Sequence, residues 1–241
     1  MKGDLIFNMF YLIGLGLNEK GYSREAYDAI LKSKKIYIEV YTIDFPYKIK
    51  DLEKQFKKKF IPANREAVES FEVLDEAKKQ DVALLVYGSP LTATTHITLI
   101  EEAKKRKIKT KTIHSSSIFD AIAETGLQLY KFGKITSIPN FKAESFIEII
   151  KENLSINAHT LILADIGLDF KDALNKLERV CNKNKINLDK IVICSRLGTK
   201  SQEIFYDKPE KLIKKSIKSP YCLIIPGKLH FMEKEVLEGF S

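Results

Sequence analysis

The sequence predicts two α/β domains, with mostly parallel or mixed sheets and a ligand cleft between them. Three observations predict it. Apolar runs of strand length alternate with helical periodicity. Many of those runs end in Gly, Ser, Thr or Pro, the residues of exit loops. A turn-rich aromatic stretch, residues 126–141, separates one set of runs from a second. At 241 residues the chain is long enough for one large domain or two ordinary ones. A boundary near residue 113 gives an N-terminal domain over 9–113 and a C-terminal domain over 114–241, with residues 1–8 as an extension.

Phe10-Tyr11-Leu12-Ile13 reads as a buried strand closed by Gly14-Leu15-Gly16-Leu17. The two glycines suggest a backbone pressed against a ligand or a neighbouring helix, but the next glycine is Gly21, so no GxGxxG pattern forms. Asn18 or Ser23 can cap the helix whose inward face is Ala26, Ala29 and Ile30. Residues 36–42 form a second strand, followed by helices over 49–60 and 67–79. Val82-Ala83-Leu84-Leu85-Val86 is the central strand, and the chain reads as organised around its exit, Tyr87-Gly88-Ser89-Pro90-Leu91-Thr92-Ala93-Thr94-Thr95-His96. Loops after strand carboxyl ends are where open α/β sheets bind small ligands, and Thr92, Thr94 and Thr95 supply hydroxyls and helix caps. Residues 108–113 are a short strand, and His114-Ser115-Ser116-Ser117 leads into a helix at Ile118 that a serine can cap. The second half gives a helix over 143–153, a strand at 159–165, and an amphipathic helix carrying Phe170, Ala173, Leu174, Leu177 and Cys181. It continues with strand 191–194, exit loop Ser195-Arg196-Leu197-Gly198-Thr199, a helix near 209–215, and strand 221–225 ending in Pro226-Gly227-Lys228-Leu229-His230.

Composition narrows the function classes. The chain is 44% hydrophobic and 30% charged, as expected of a soluble globular protein. Net charge is +8, yet only Arg24, Arg65, Arg106, Arg179 and Arg196 stand among 40 basic residues. A nucleic-acid grip usually clusters Arg with aromatics, so the charge reads as general basicity that can favour an acidic partner. Cys181, Cys194 and Cys222 are odd in number and widely spaced, which points to reduced thiols in a cytoplasmic protein. No apolar run reaches the ~20 residues of a membrane span, and the four histidines are too scattered for a metal motif. No GxSxG elbow, P-loop or recognisable carboxylate pair occurs. By residue chemistry alone this is an α/β protein with several small-residue loops, and no reaction follows.

Five segments taken together resemble the diphthine synthase family, part of the class III S-adenosylmethionine methyltransferases that include the tetrapyrrole methylases. They are Tyr11-Leu12-Ile13-Gly14-Leu15-Gly16-Leu17, Glu39-Val40-Tyr41-Thr42, residues 88–96, His114-Ser115-Ser116-Ser117-Ile118, and Pro226-Gly227-Lys228-Leu229-His230. Thr125-Gly126-Leu127, Tyr130-Lys131-Phe132-Gly133-Lys134 and His159-Thr160-Leu161 support it, so the resemblance runs from about Met9 to His230. Met9 stands where the family pattern opens, which marks residues 1–8 as a poorly packed extension.

The resemblance implies methyl transfer from S-adenosylmethionine to the amino group of a modified histidine on translation elongation factor 2, in diphthamide biosynthesis. It implies a homodimer that holds the cofactor between two domains. Carried over by position, cofactor contacts are Leu17, Ser89, Thr92, Ser117, Ile118, Ala164, Leu197 and His230. The family generally has Asp at Ser89, and Ser replaces its hydrogen bond but not its charge. Ala164 and Leu197 stand where relatives often have Leu and Ala. No catalytic residue is assigned; His96 and His230 are candidates to accept the amine's proton, against cofactor or structural roles for both. The alternatives are a tetrapyrrole or ribosomal RNA methyltransferase of the same class, or a non-catalytic cofactor-binding homologue.

Overall fold

The computed structural model describes residues 8–241, and the expected extension lies outside these except for Asn8. Asn8 Nδ2 donates to the Lys78 carbonyl at 2.9 Å, and the Met9 N–H donates to Asp81 Oδ1 at 2.8 Å. The chain divides into two compact units, Met1–Ile118 and Phe119–Ser241.

The first unit runs β1 (Met9–Gly14), α1 (Arg24–Lys32), β2 (Lys35–Glu39), α2 (Ile49–Phe56), β3 (Ile61–Ala63), α3 (Arg65–Glu69), α4 (Glu72–Ala77), β4 (Val82–Val86), α5 (Ile97–Lys105) and β5 (Lys109–Ile113). Its sheet has the order β3-β2-β4-β1-β5, with every neighbouring pair parallel. Alternation along the strands splits the core in two. Phe10, Leu12, Leu84 and Val86 pack with Val68, Leu74, Leu99 and Ala103 of α3 to α5. Tyr11, Ile13, Ile38 and Leu85 pack with Ala26, Ile30, Leu52 and Phe56 of α1 and α2. A parallel sheet covered on both faces needs such unbroken apolar strands, which is why Val82–Val86 reads so plainly.

Three details differ from the sequence reading. The helix expected over 67–79 is two short helices, because Phe71 takes φ +65°, a left-handed conformation that no α-helix continues through. Helix α2 stops at Phe56 and Lys57 adopts φ 51°, which frees Ile61–Ala63 to pair with β2. The cap of α1 is Ser23, whose Oγ accepts from the Ala26 N–H at 3.1 Å.

The second unit begins with α6 (Ile118–Ala121), which straddles the division, and continues with β6 (Thr136–Ile138), α7 (Phe146–Ser155), β7 (Thr160–Ala164), α8 (Phe170–Lys183), β8 (Ile191–Ser195), β9 (Glu203–Asp207), α9 (Pro209–Leu212), β10 (Tyr221–Ile225) and α10 (Phe231–Glu238). Its sheet order is β6-β7-β10-β8-β9. Strand β6 is parallel to β7, while β10 is antiparallel to both β7 and β8, and β9 is antiparallel to β8. The core joins Ile162, Ile193 and Leu223 to Phe146, Ile150, Leu174, Leu177 and Val180. The three cysteines are free and buried, with Cys194 opposite Cys222 across β8 and β10. Burial pushes the Cys181 thiol up to about 12, and hydrogen bonding to Cys222 together with burial pushes Cys194 up, so both stay neutral.

Candidate functional site

Because all five strands of the first sheet are parallel, the loops after β1, β2, β4 and β5 leave from one end of it. Those loops are tied to one another. Gly16 and Gly88 exchange backbone hydrogen bonds, Gly16 N to Gly88 O at 3.1 Å and Gly88 N to Gly16 O at 3.0 Å. Both have φ near the left-handed region, +70° and +71°, where a side chain is strained. A Cβ at Gly14 would lie 2.6 Å from Gly88 O and 2.9 Å from Pro90 Cδ. What crowds the first glycine is thus the neighbouring loop, not a helix. The Tyr87 hydroxyl donates to Leu17 O at 3.0 Å, and Ser115 Oγ donates to Gly21 O at 3.0 Å.

This end of the sheet gathers Leu17, Ser89, Thr92, Ser117 and Ile118. Leu17 and Ser117 are buried; Ser89, Thr92 and Ile118 are half-buried. The Thr92 N–H closes the turn onto Ser89 O at 3.1 Å, and Thr94 Oγ1 closes it again onto Pro90 O at 2.9 Å. The threonines expected as helix caps do not cap α5, whose N-cap residue is His96, with no side-chain cap hydrogen bond. Gly88 is buried against the loop after β5: an added Cβ would touch Ser116 O at 3.8 Å and Ser117 Cα at 4.0 Å without a clash.

His96, named above as one candidate to accept the amine's proton, lies just after this turn. It is 1% exposed; Nδ1 lies 3.0 Å from Pro90 O, and Nε2 lies 3.6 Å from Glu39 Oε2 and 3.5 Å from the Tyr41 hydroxyl. Burial, then the Glu39 charge, pushes the Tyr41 phenol up to about 12. Glu39 had two sequence signals, a carboxylate closing strand β2 and its place in the Glu39-Val40-Tyr41-Thr42 segment.

One group at this end went unnoticed in the sequence. The Tyr47 hydroxyl is buried without a hydrogen-bond partner, and burial pushes its phenol far up, so it stays a neutral donor. Its ring lies 5.4 Å from Phe45 and 6.3 Å from Tyr87. A buried hydroxyl left unpaired costs roughly 1–3 kcal/mol. An unpaired hydroxyl beside these loops is a donor that a ligand with polar groups could satisfy.

In the second unit, Ala164 ends β7 and the buried Leu197 follows β8. These two strands run the same way, both antiparallel to β10. His230 follows β10 and so lies beyond the opposite end of this sheet from Ala164 and Leu197, near Thr160, where β7 starts. It caps α10, Nδ1 taking the Met232 N–H at 3.4 Å, and its own N–H donates to Glu233 Oε2 at 2.7 Å. Glu233, wholly buried, also accepts from Lys131 Nζ, from the Gln128 N–H at 2.9 Å and from His159 Nε2 at 3.0 Å. Burial would raise the Glu233 carboxyl, but these donors together hold it down at about 2. His159 Nδ1 takes the Gly227 N–H at 2.9 Å, which leaves the ring proton on Nε2. Burial holds that imidazole neutral by pushing its pKa down. Beside this cluster is a cavity of about 500 Å³, lined by Tyr130, Phe132, Gly133, Asn157, Lys228 and His230 among others. Among the described residues no group of three or more His, Cys, Asp or Glu is placed to hold a metal ion, and no helix is long and apolar enough to cross a membrane.

Residues 9–212 match the family Tetrapyrrole (Corrin/Porphyrin) Methylases. A diphthine synthase of Methanococcus maripaludis is 39% identical over 249 residues, covering 95% of this chain and 98% of the relative. A diphthine methyl ester synthase of Schizosaccharomyces pombe is 34% identical over 271 residues, covering 97% and 94%. A crystal structure of diphthine synthase superimposes with a TM-score of 0.90 at 31% identity, covering 97% of this chain and 96% of that one. In sequence and in the course of its backbone, this chain belongs to the tetrapyrrole (corrin/porphyrin) methylases and is a methyltransferase that groups there with the diphthine synthases.

Proposed function

We propose that this methyltransferase takes its methyl group from S-adenosylmethionine. The acceptor is the amino group of the 3-carboxy-3-aminopropyl-histidine on translation elongation factor 2, and the step is the methylation in diphthamide biosynthesis. The observation that carries the reading is the likeness to diphthine synthases along nearly the whole chain. Donor contacts are proposed at Leu17, Ser89, Thr92, Ser117 and Ile118, and, on the resemblance, at Ala164, Leu197 and His230. A cytoplasmic homodimer belongs to the same reading, and the net charge of +8 suits an acidic protein partner.

Bound S-adenosylmethionine supplies a methyl group made electrophilic by a positively charged sulfur. The chain's own task is then to bind, orient and exclude water. Fixing two reactants in register can contribute on the order of 7–11 kcal/mol toward a barrier. Loops cross-tied as Gly16 is to Gly88 are suited to that task. Ser89, neutral where the family generally has Asp, offers a hydroxyl without a charge, so the donor's positive sulfur gains no ion pair at that position.

Mass spectrometry of elongation factor 2 carrying the aminocarboxypropyl-histidine, after incubation with this protein and S-adenosylmethionine, tests the reading. Gain of one or more methyl masses at that histidine is expected. No gain there, with methylation of a precorrin or of ribosomal RNA instead, overturns the acceptor.

A further inference from the structure

We propose that His96, backed by Glu39, is a positioning residue for methyl transfer: it grips the Pro90 carbonyl and so fixes the turn at residues 88–92 that receives the donor. This deepens the donor reading above and rests on it.

Four observations carry it. First, a carbonyl has no proton to give, so the 3.0 Å contact requires His96 Nδ1 to be the donor to Pro90 O. Second, the other face of the ring is set by a carboxylate that cannot turn away. Glu39 is 2% exposed and accepts from the Tyr41 N–H at 3.1 Å, the Thr42 N–H at 2.8 Å and the Thr42 hydroxyl at 2.7 and 2.8 Å, which leaves Oε2 3.6 Å from His96 Nε2. Third, the turn needs holding: Ala93 has φ +54°, a left-handed conformation costly for a residue with a side chain. The gripped carbonyl belongs to Pro90, and Thr94 Oγ1 grips the same oxygen from 2.9 Å. Fourth, Pro90 abuts the Gly14 position, and Gly88 is bonded to Gly16, one residue before Leu17. A shift at Pro90 is therefore transmitted to the loop after β1 as well as to Ser89 and Thr92.

The experiment uses the two amides that mimic one imidazole nitrogen each. His96→Asn places an amide nitrogen near the Nδ1 position and can keep the bond to Pro90 O. His96→Gln reaches the Nε2 position, keeps a partner for Glu39 and releases Pro90. Titration calorimetry with S-adenosylmethionine, beside thermal melts without it, separates the roles. We expect His96→Asn to bind within about threefold of the unaltered protein and His96→Gln to bind about tenfold more weakly, the loss of roughly one net hydrogen bond. Both should lose similar melting temperature, and KM for the donor should move more than kcat. Thr94→Ala, which leaves the buried pair intact, should weaken donor binding about fivefold with little change in melting. Equal donor affinities for His96→Asn and His96→Gln, or affinity unchanged in both His96→Gln and Thr94→Ala, overturn the proposal. Failure of the unaltered protein to bind S-adenosylmethionine overturns the donor reading itself, and shows before any variant is compared.

Discussion

His96 in the first unit and His159 in the second are both buried against a glutamate, yet their Nδ1 atoms have opposite roles. His159 Nδ1 meets an N–H, that of Gly227, so its proton sits on Nε2 and points at Glu233. His96 Nδ1 meets a carbonyl, that of Pro90, so it is the donor there. The glutamates differ too. Glu233 gathers donors from Gln128, Lys131, His159 and His230 and thereby fastens α10 and the loop before it to the start of β7. Glu39 spends its bonds on its own loop and offers His96 only a flank. The same residue pair serves as a staple of the fold in one unit and as a brace for a loop in the other. What decides is which backbone group the imidazole's second nitrogen finds.

The sharpest way to break that contrast is at the staple. Glu233→Ala strands a lysine, a histidine and two backbone N–H groups in a buried setting, and is expected to cost about 3–5 kcal/mol in urea unfolding. A loss under about 1 kcal/mol would mean the network contributes little.

Acid comes next. The Glu233 carboxyl is held down at about 2 from its ordinary 4.5, so its contribution is whole above pH 4.5 and is lost as pH falls toward 2. The His159 imidazole is pushed below its ordinary 6.5, so the unfolded chain binds that proton first and stability also falls as pH drops below 6.5. Together the signs agree: stability declines on acidification, by about 3 kcal/mol from the carboxyl alone. Glu233→Gln should flatten the limb below pH 4.5, and stability curves from pH 7 to pH 2 would show whether it does.

A pair of glycines sharpens the contrast between fold and site. An added Cβ at Gly133 would strike the Asn153 side chain at 2.1 Å, and Asn153 bonds Thr160 and the backbone of Lys134. Gly133→Ala is expected to cost about 1–3 kcal/mol of stability and to weaken donor binding less than Gly14→Ala does. Gly14→Ala meets the Gly88 carbonyl instead, so it should cost a similar amount and also weaken S-adenosylmethionine binding about tenfold. Parallel melts and calorimetry on the two variants decide.

The smallest effect has the opposite sign. Tyr47→Phe removes a buried hydroxyl that has no partner, and the free protein should gain about 1 kcal/mol. Lower donor affinity in the same variant would identify the missing partner as the ligand.

Much of the fold was legible because buried strands announce themselves. Residues 82–86 are apolar throughout and lie at the centre of the first sheet. Strand β9 was not, since it is an edge strand of mixed, half-exposed residues, and β6 is only three residues long. Helix α10 hid behind a histidine cap and an exposed Phe231 in place of the usual Ser or Asp and an apolar stripe. The antiparallel course of β10 has no local signature at all, because direction is decided by partners far along the chain. For the same reason the loop residues of the site could be named, while the work of His96 could not: its partner Glu39 is remote in sequence, and Pro90 contributes a carbonyl that every residue type has.

The reciprocal bonds between Gly16 and Gly88 carry a lesson for engineering. Two segments joined in this way behave as one interchangeable part. Transplanting either from a sister enzyme, to redirect the chain to another acceptor, would sever both bonds unless its counterpart travelled with it.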